Sequence, residues 1–122
     1  MKYMDISEFV GKTFTQIDGM VPGSDLVHFM SGSETYKMYH RQDCCESVDL
    51  DDVCGDPDDL IGTPIFEAYE EDSGDAKGKN KHDDSFHWTF YRLSTIKGTV
   101  TLKWYGTSNG YYSELVDIER ES

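Results

Sequence analysis

The sequence predicts an α+β fold that is mainly β: a single domain over 1–122, built on a twisted antiparallel sheet of about six strands with short helices. Two observations predict it. Short runs rich in aromatic and β-branched residues recur along the chain, and Gly-containing turns separate them. The length of 122 residues suits one domain, which at this size buries roughly two-thirds of its unfolded surface. Tyr, Phe and Trp make up 13% of the chain, so the core is expected to be rich in rings.

Asp5 to Val10 has the pattern of a helix start, with Asp5 as N-cap, Glu8 three residues on and Gly11 closing it, which predicts one short helical turn. Lys12–Ile17, Asp25–Met30 and Thr35–His40 then read as a meander of three strands, with Tyr36, Met38 and His40 on one face of the third. Gln42 to Gly62 loses the alternation and reads as loop, with helical pieces near Leu50–Val53 and Pro57–Ile61. Pro64–Glu70 resumes a strand. The stretch 71–84, EDSGDAKGKNKHDD, holds almost no apolar residue and is expected to be a mobile acidic and polar loop. Ser85–Leu93, Thr99–Tyr105 and Tyr111–Ile118 are the clearest strands. Phe86, Trp88 and Phe90 share one face, as do Val100, Leu102 and Trp104, and the pairing of these two aromatic-bearing faces predicts a packed sheet.

The formal charge of −13 belongs to one segment. From Asp43 to Ala76 the chain carries 13 acids and no Lys or Arg, while the remainder balances 11 acids against 11 bases. Such a run is either a solvated face or a surface that competes for a basic groove, because clustered carboxylates can stand in for the phosphates of a nucleic-acid backbone. The expected partner-binding residues are Asp49, Asp51, Asp52, Asp56, Asp58, Asp59, Glu67, Glu70, Glu71 and Asp72. Direct binding of nucleic acid is disfavoured, since Lys77, Lys79 and Lys81 sit among acids. No apolar run is long enough for a membrane helix and no export signal is visible, so no membrane association is expected.

Cys44, Cys45 and Cys54 are an odd number, and adjacent cysteines have poor geometry for bonding to each other, so reduced thiols are expected. The string from His40 to Cys54 has the spacing H-x3-C-C-x8-C, which places His40, Cys44, Cys45 and Cys54 within one loop that starts at a strand end. Thiolate and imidazole donors suit a structural zinc, with His87 or Glu46 available to complete the shell. The alternative is that Cys45 and Cys54 pack as small buried hydrophobes and His40 is a hydrogen-bonded histidine at the strand end. Nothing signals an orienting group for a Cys–His nucleophile, and no phosphate-binding or HExxH motif occurs. In WYGTSNGYYSE, Tyr105, Tyr111 and Tyr112 form either a recognition surface or rings that cover a sheet.

The strings YHRQDCCESV, GDPDDLIGTPI, WTFYRLSTIKGTVTLKWYG and TSNGYYSE resemble a family of small proteins found in bacteriophages and prophages, over about Gly11 to Ile118. The resemblance supplies no reaction. It implies a phage setting, in which small acidic proteins inhibit host defence, and some proteins similar to this one are anti-CRISPR inhibitors of Cas9. The expectation is then a non-enzymatic, zinc-containing, monomeric protein in the cytoplasm of an infected bacterium. It would bind Cas9 stoichiometrically through its acidic surface and block target DNA loading or cleavage. The alternative is a metal-dependent enzyme or nucleotide-binding protein acting against another defence system, with a pocket lined by His40, Cys44 and Tyr111.

Overall fold

The computed structural model describes residues 2–42, 44–71, 78–79, 85–110 and 113–121. Among them, nine strands form two antiparallel sheets. One sheet, in the order β1-β9-β4-β3-β2, contains β1 (Lys2–Tyr3), β2 (Gln16–Asp18), β3 (Leu26–Ser31), β4 (Glu34–Tyr39) and β9 (Asp117–Arg120). The other, in the order β5-β8-β7-β6, contains β5 (Ser47–Cys54), β6 (Glu67–Glu71), β7 (Ser85–Thr95) and β8 (Gly98–Ser108). The mainly β class predicted from sequence is what the chain adopts. Its strands are divided between two sheets rather than gathered in one, because β9 returns to pair with β4 and not with the β7–β8 hairpin.

The two sheets share one core. Val27, Phe29, Tyr36, Met38 and Ile118 contribute from the first, and Leu50, Leu93, Val100, Leu102 and Trp104 from the second. Burying each such side chain contributes about 1.5–3 kcal/mol. The indole N–H of Trp104 donates to the sulfur of Met38 at 3.2 Å, which ties the sheets together. Phe9 is wholly buried and lies 5.0 Å from the Phe29 ring and 5.4 Å from that of Tyr36. It is delivered by a 3-10 turn, Ile6–Phe9, whose start is the expected capping box of Asp5 and Glu8. A second 3-10 turn, Pro57–Leu60, matches the other helical piece read from the sequence, with Asp56 as its cap.

Three elements differ from the sequence reading. The run Leu50–Val53, read as helical, is strand: β5 carries a bulge between Leu50 and Asp52, so Val48 and Leu50 face the core in one phase and Val53 in the next. The bulge hides the alternation. Lys12–Ile17 pairs only from Gln16 onward, with Phe14 making an isolated parallel bridge to Ile61. The last strand starts at Asp117, and Tyr111 and Tyr112 lie outside the described residues. Of the stretch 71–84, Glu71 ends β6 and Gly78 and Lys79 are described, while 72–77 and 80–84 lie outside the described residues.

The register of β7 on β8 decides which face packs against the core and which faces outward. Thr89 pairs with Trp104, Tyr91 with Leu102 and Leu93 with Val100, all buried. Trp88 pairs instead with Tyr105, and Phe90 with Lys103, on the opposite face. The two aromatic-bearing faces that looked equivalent in sequence are thus on opposite sides of the sheet. Trp104 fills the interior opposite the small Thr89, and Phe86, Trp88 and Phe90 are turned outward. No helix among the described residues is long and apolar enough to cross a membrane.

Candidate partner-binding face and the cysteine loop

The loop from β4 to β5 folds around the carboxylate of Glu46. The side-chain amide of Gln42 donates to the carbonyl oxygens of Cys44 at 3.1 Å and Glu46 at 2.6 Å, and to Glu46 Oε1 at 3.2 Å. The amide N–H of Cys44 donates to the same Oε1 at 2.8 Å. Glu46 Oε2 meets Nε2 of His40 at 2.8 Å, and the other ring nitrogen of His40 lies 2.7 Å from the carbonyl oxygen of Leu115. Burial works against a charge on this imidazole, but Glu46, the Leu115 carbonyl and Asp117 outweigh it and hold His40 above the usual histidine range. Through the Leu115 carbonyl and the Glu46 carboxylate, His40 joins three segments of chain.

This arrangement uses the expected metal ligands differently. Both ring nitrogens of His40 are engaged within the protein, as the hydrogen-bonded alternative had it. Cys44 and Cys45, expected as reduced thiols, are exposed and joined to each other by a disulfide. Cys54 is an exposed free thiol near the end of β5, with its sulfur 3.6 Å from Asp52 Oδ2, so it is not the buried small hydrophobe of the alternative reading. Among the described residues no group of three or more His, Cys, Asp or Glu side chains converges as a metal shell. Of the residues whose shared pocket would favour the enzyme alternative, His40 is buried, Cys44 is exposed and Tyr111 lies outside the described residues.

The SNGYYSE string also closes on a glutamate. Glu114 accepts from the hydroxyls of Ser108 at 2.8 Å and Ser85 at 3.1 Å, pinning the segment back against the end of the β7–β8 hairpin. Gly106 lies beneath it, where an added Cβ would stand 2.6 Å from the Glu114 carbonyl oxygen. It sits within β8. Leu115, the next residue, carries the carbonyl that receives His40. On the far side of the same region Glu119 is wholly buried and accepts from the Tyr39 hydroxyl at 2.7 Å, with Lys37 at 3.9 Å from its Oε2. Sequence alone gave no signal for either glutamate, since both look like surface acids.

The acidic run does not form a single patch. Asp49 and Asp52 lie on β5, opposite Tyr105 and Lys103, with Asp51 in the bulge between them. Glu67, Glu70 and Glu71 lie on β6, at the other edge of the same sheet. Asp56, Asp58 and Asp59 cap and fill the 3-10 turn at the β7–β8 turn end, where the Asp59 carbonyl accepts from Thr95. Asp72 lies outside the described residues. Between the two acidic edges runs a row of rings on the outer face of the sheet: Trp88 is 4.4 Å from Tyr105, 5.7 Å from Phe90, and Phe86 stacks 6.1 Å from Tyr105. Lys79 pairs with Asp51 and sits over Tyr105, Lys103 sits over Phe90, and Arg92 lies 3.6 Å from Glu71.

Residues 7–118 match the model of a family described as a domain of unknown function, DUF7448. The chain belongs to the DUF7448 family. The match takes in both glutamate-closed loops and the whole four-stranded sheet, so these are parts of the family's domain and not additions to it. No curated protein matches the chain. No solved structure matches it either.

Proposed function

We propose that this DUF7448 chain is a non-enzymatic binding protein that holds a basic macromolecular surface on the outer face of its four-stranded sheet. The observation that carries the reading is the row Phe86, Trp88 and Phe90, backed by the buried Tyr105, with carboxylates along both flanking strands. Rings supply contact area at little entropic cost and attract cations to their faces. Carboxylates at both edges steer a basic partner toward the rings and reject acidic ones.

Basic surfaces of this kind line the channels in which nucleic-acid enzymes hold their substrates. With the phage resemblance, the partner proposed is a Cas9-type effector, whose positively charged guide-and-target channel an acidic face of this size would block. The zinc expected from the cysteines is not needed for this reading, since the loop is closed by Gln42, Glu46 and His40. Pull-down and cleavage assays with Cas9 test it. Binding at low salt that fades as salt rises, and weakens in Asp49→Asn/Asp51→Asn/Asp52→Asn, is the expected result. Full absence of binding at low salt rejects Cas9 as the partner.

A further inference from the structure

We infer that Tyr105, Phe86 and Asp51 form a cation-recognition site which the chain's own Lys79 occupies, and which a Lys or Arg side chain of a basic partner protein takes by displacing Lys79. The inference rests on the reading of the outer sheet face as the binding surface and names what that surface recognises.

Gly78 and Lys79 lie against Phe86 and Tyr105 of the sheet. The backbone N–H of Lys79 donates to the Tyr105 hydroxyl at 2.9 Å. Its ammonium pairs with Asp51 Oδ1 and stands 5.6 Å from the centroid of the Tyr105 ring. Gly78 is so close to Phe86 that an added Cβ would fall 2.9 Å from its Cδ1. A ring floor, a carboxylate wall and a hydroxyl acceptor for the peptide N–H are the parts that recognise a basic side chain together with its backbone. The room beside Phe86 requires a small residue before the basic one.

The occupant is exchangeable and the site keeps an appetite for more positive charge. The Lys79 side chain is 47% exposed, so its ion pair is a surface contact of small net worth. Asp49 stands beside it, and burial, with Asp51 and Asp25 nearby, holds its carboxyl above the usual range in spite of Lys79. Lys103 over Phe90 at 5.6 Å repeats the cation-on-ring arrangement one step along the sheet. A partner presenting basic residues in an extended segment meets both positions.

The test is fluorescence anisotropy with a labelled peptide of four Gly-Lys repeats, titrated at low salt with the intact protein and charge-matched variants. Lys79→Ala is expected to tighten binding roughly 2- to 5-fold, the scale of an exposed cation–ring contact, and Lys12→Ala, which removes the same charge beside Glu34, to change it less. Asp51→Asn is expected to weaken binding more than Asp18→Asn, which removes the same charge from β2. If the peptide binds but Lys79→Ala behaves like Lys12→Ala and Asp51→Asn like Asp18→Asn, the Lys79 site is overturned while a basic-partner surface stands. If no variant binds the peptide, both are overturned.

Discussion

The imidazole of His40 and the carboxylate of Glu46 meet at 2.8 Å, with their side chains 3% and 0% exposed. The contact links the end of β4 to the start of β5, and through the Leu115 carbonyl it also holds the segment that leads into β9. Because the pair and the carbonyl raise the histidine's affinity for its proton against the cost of burial, folding favours the charged ring. The contribution is fully present below the unfolded value near 6.5 and is lost as pH rises through the higher folded value. Thermal melts taken upward from about pH 6.5, the ordinary histidine value, are expected to show a falling midpoint that His40→Gln lacks. A flat profile in the native sequence would show that His40 stays neutral.

Removing one partner of this pair is expected to cost more than removing both. His40→Leu leaves a buried carboxylate with no cation, which costs about 3–5 kcal/mol, while replacing a buried pair by apolar residues is often close to neutral. Glu46 also receives the Cys44 N–H and the Gln42 amide, so the double variant His40→Leu/Glu46→Leu should recover only part of the loss. Urea titrations of the two single variants and the double variant measure the coupling directly.

The rings of β7 and β8 are expected to separate by role. Trp104 is wholly buried and donates to Met38 across the core, so Trp104→Ala should cost about 3–5 kcal/mol. Phe86 is 40% exposed on the outer face, and Phe86→Ala should cost about 1 kcal/mol, the worth of its stacking on Tyr105. Equal losses in chemical denaturation would mean that Phe86 packs inside.

That spacing shows where sequence reading stops. Alternation in β7 states that Phe86, Trp88 and Phe90 share a face, but not which face is buried, because Thr89, Tyr91 and Leu93 are apolar enough to pack as well. Only the pairing of Thr89 with Trp104 decides it. The meander of β3 and β4, the capping box at Asp5 and the 3-10 turn at Pro57 were legible because each rests on neighbouring residues. The acidic run was legible as charge and not as place: β5 and β6 have two strands between them, so acids near in sequence line opposite edges. Glu46 was legible beside His40 as a possible ligand and not as its buried hydrogen-bond partner, whereas Glu114 was hidden because Ser85 comes from a distant segment that only the fold brings near.

The cysteines give the sharpest test of the loop. Cys54 is exposed and free, whereas Cys44 and Cys45 are bonded to each other. A thiol-reactive dye added to the folded, unreduced protein is expected to label Cys54 alone, and Cys54→Ser to abolish labelling. Treatment with a dithiol reductant should then expose Cys44 and Cys45 to the dye, the two reductant thiols becoming a disulfide as the protein's own bond opens. A zinc shell built from the same cysteines makes the opposite forecast. It needs thiolates rather than a disulfide, so elemental analysis would find zinc in equal amount to the protein, and Cys44→Ser/Cys45→Ser would lose it. Labelling that rises only after a chelator, and not after a reductant, would replace the disulfide with a metal site and release His40 from its role as a buried partner of Glu46.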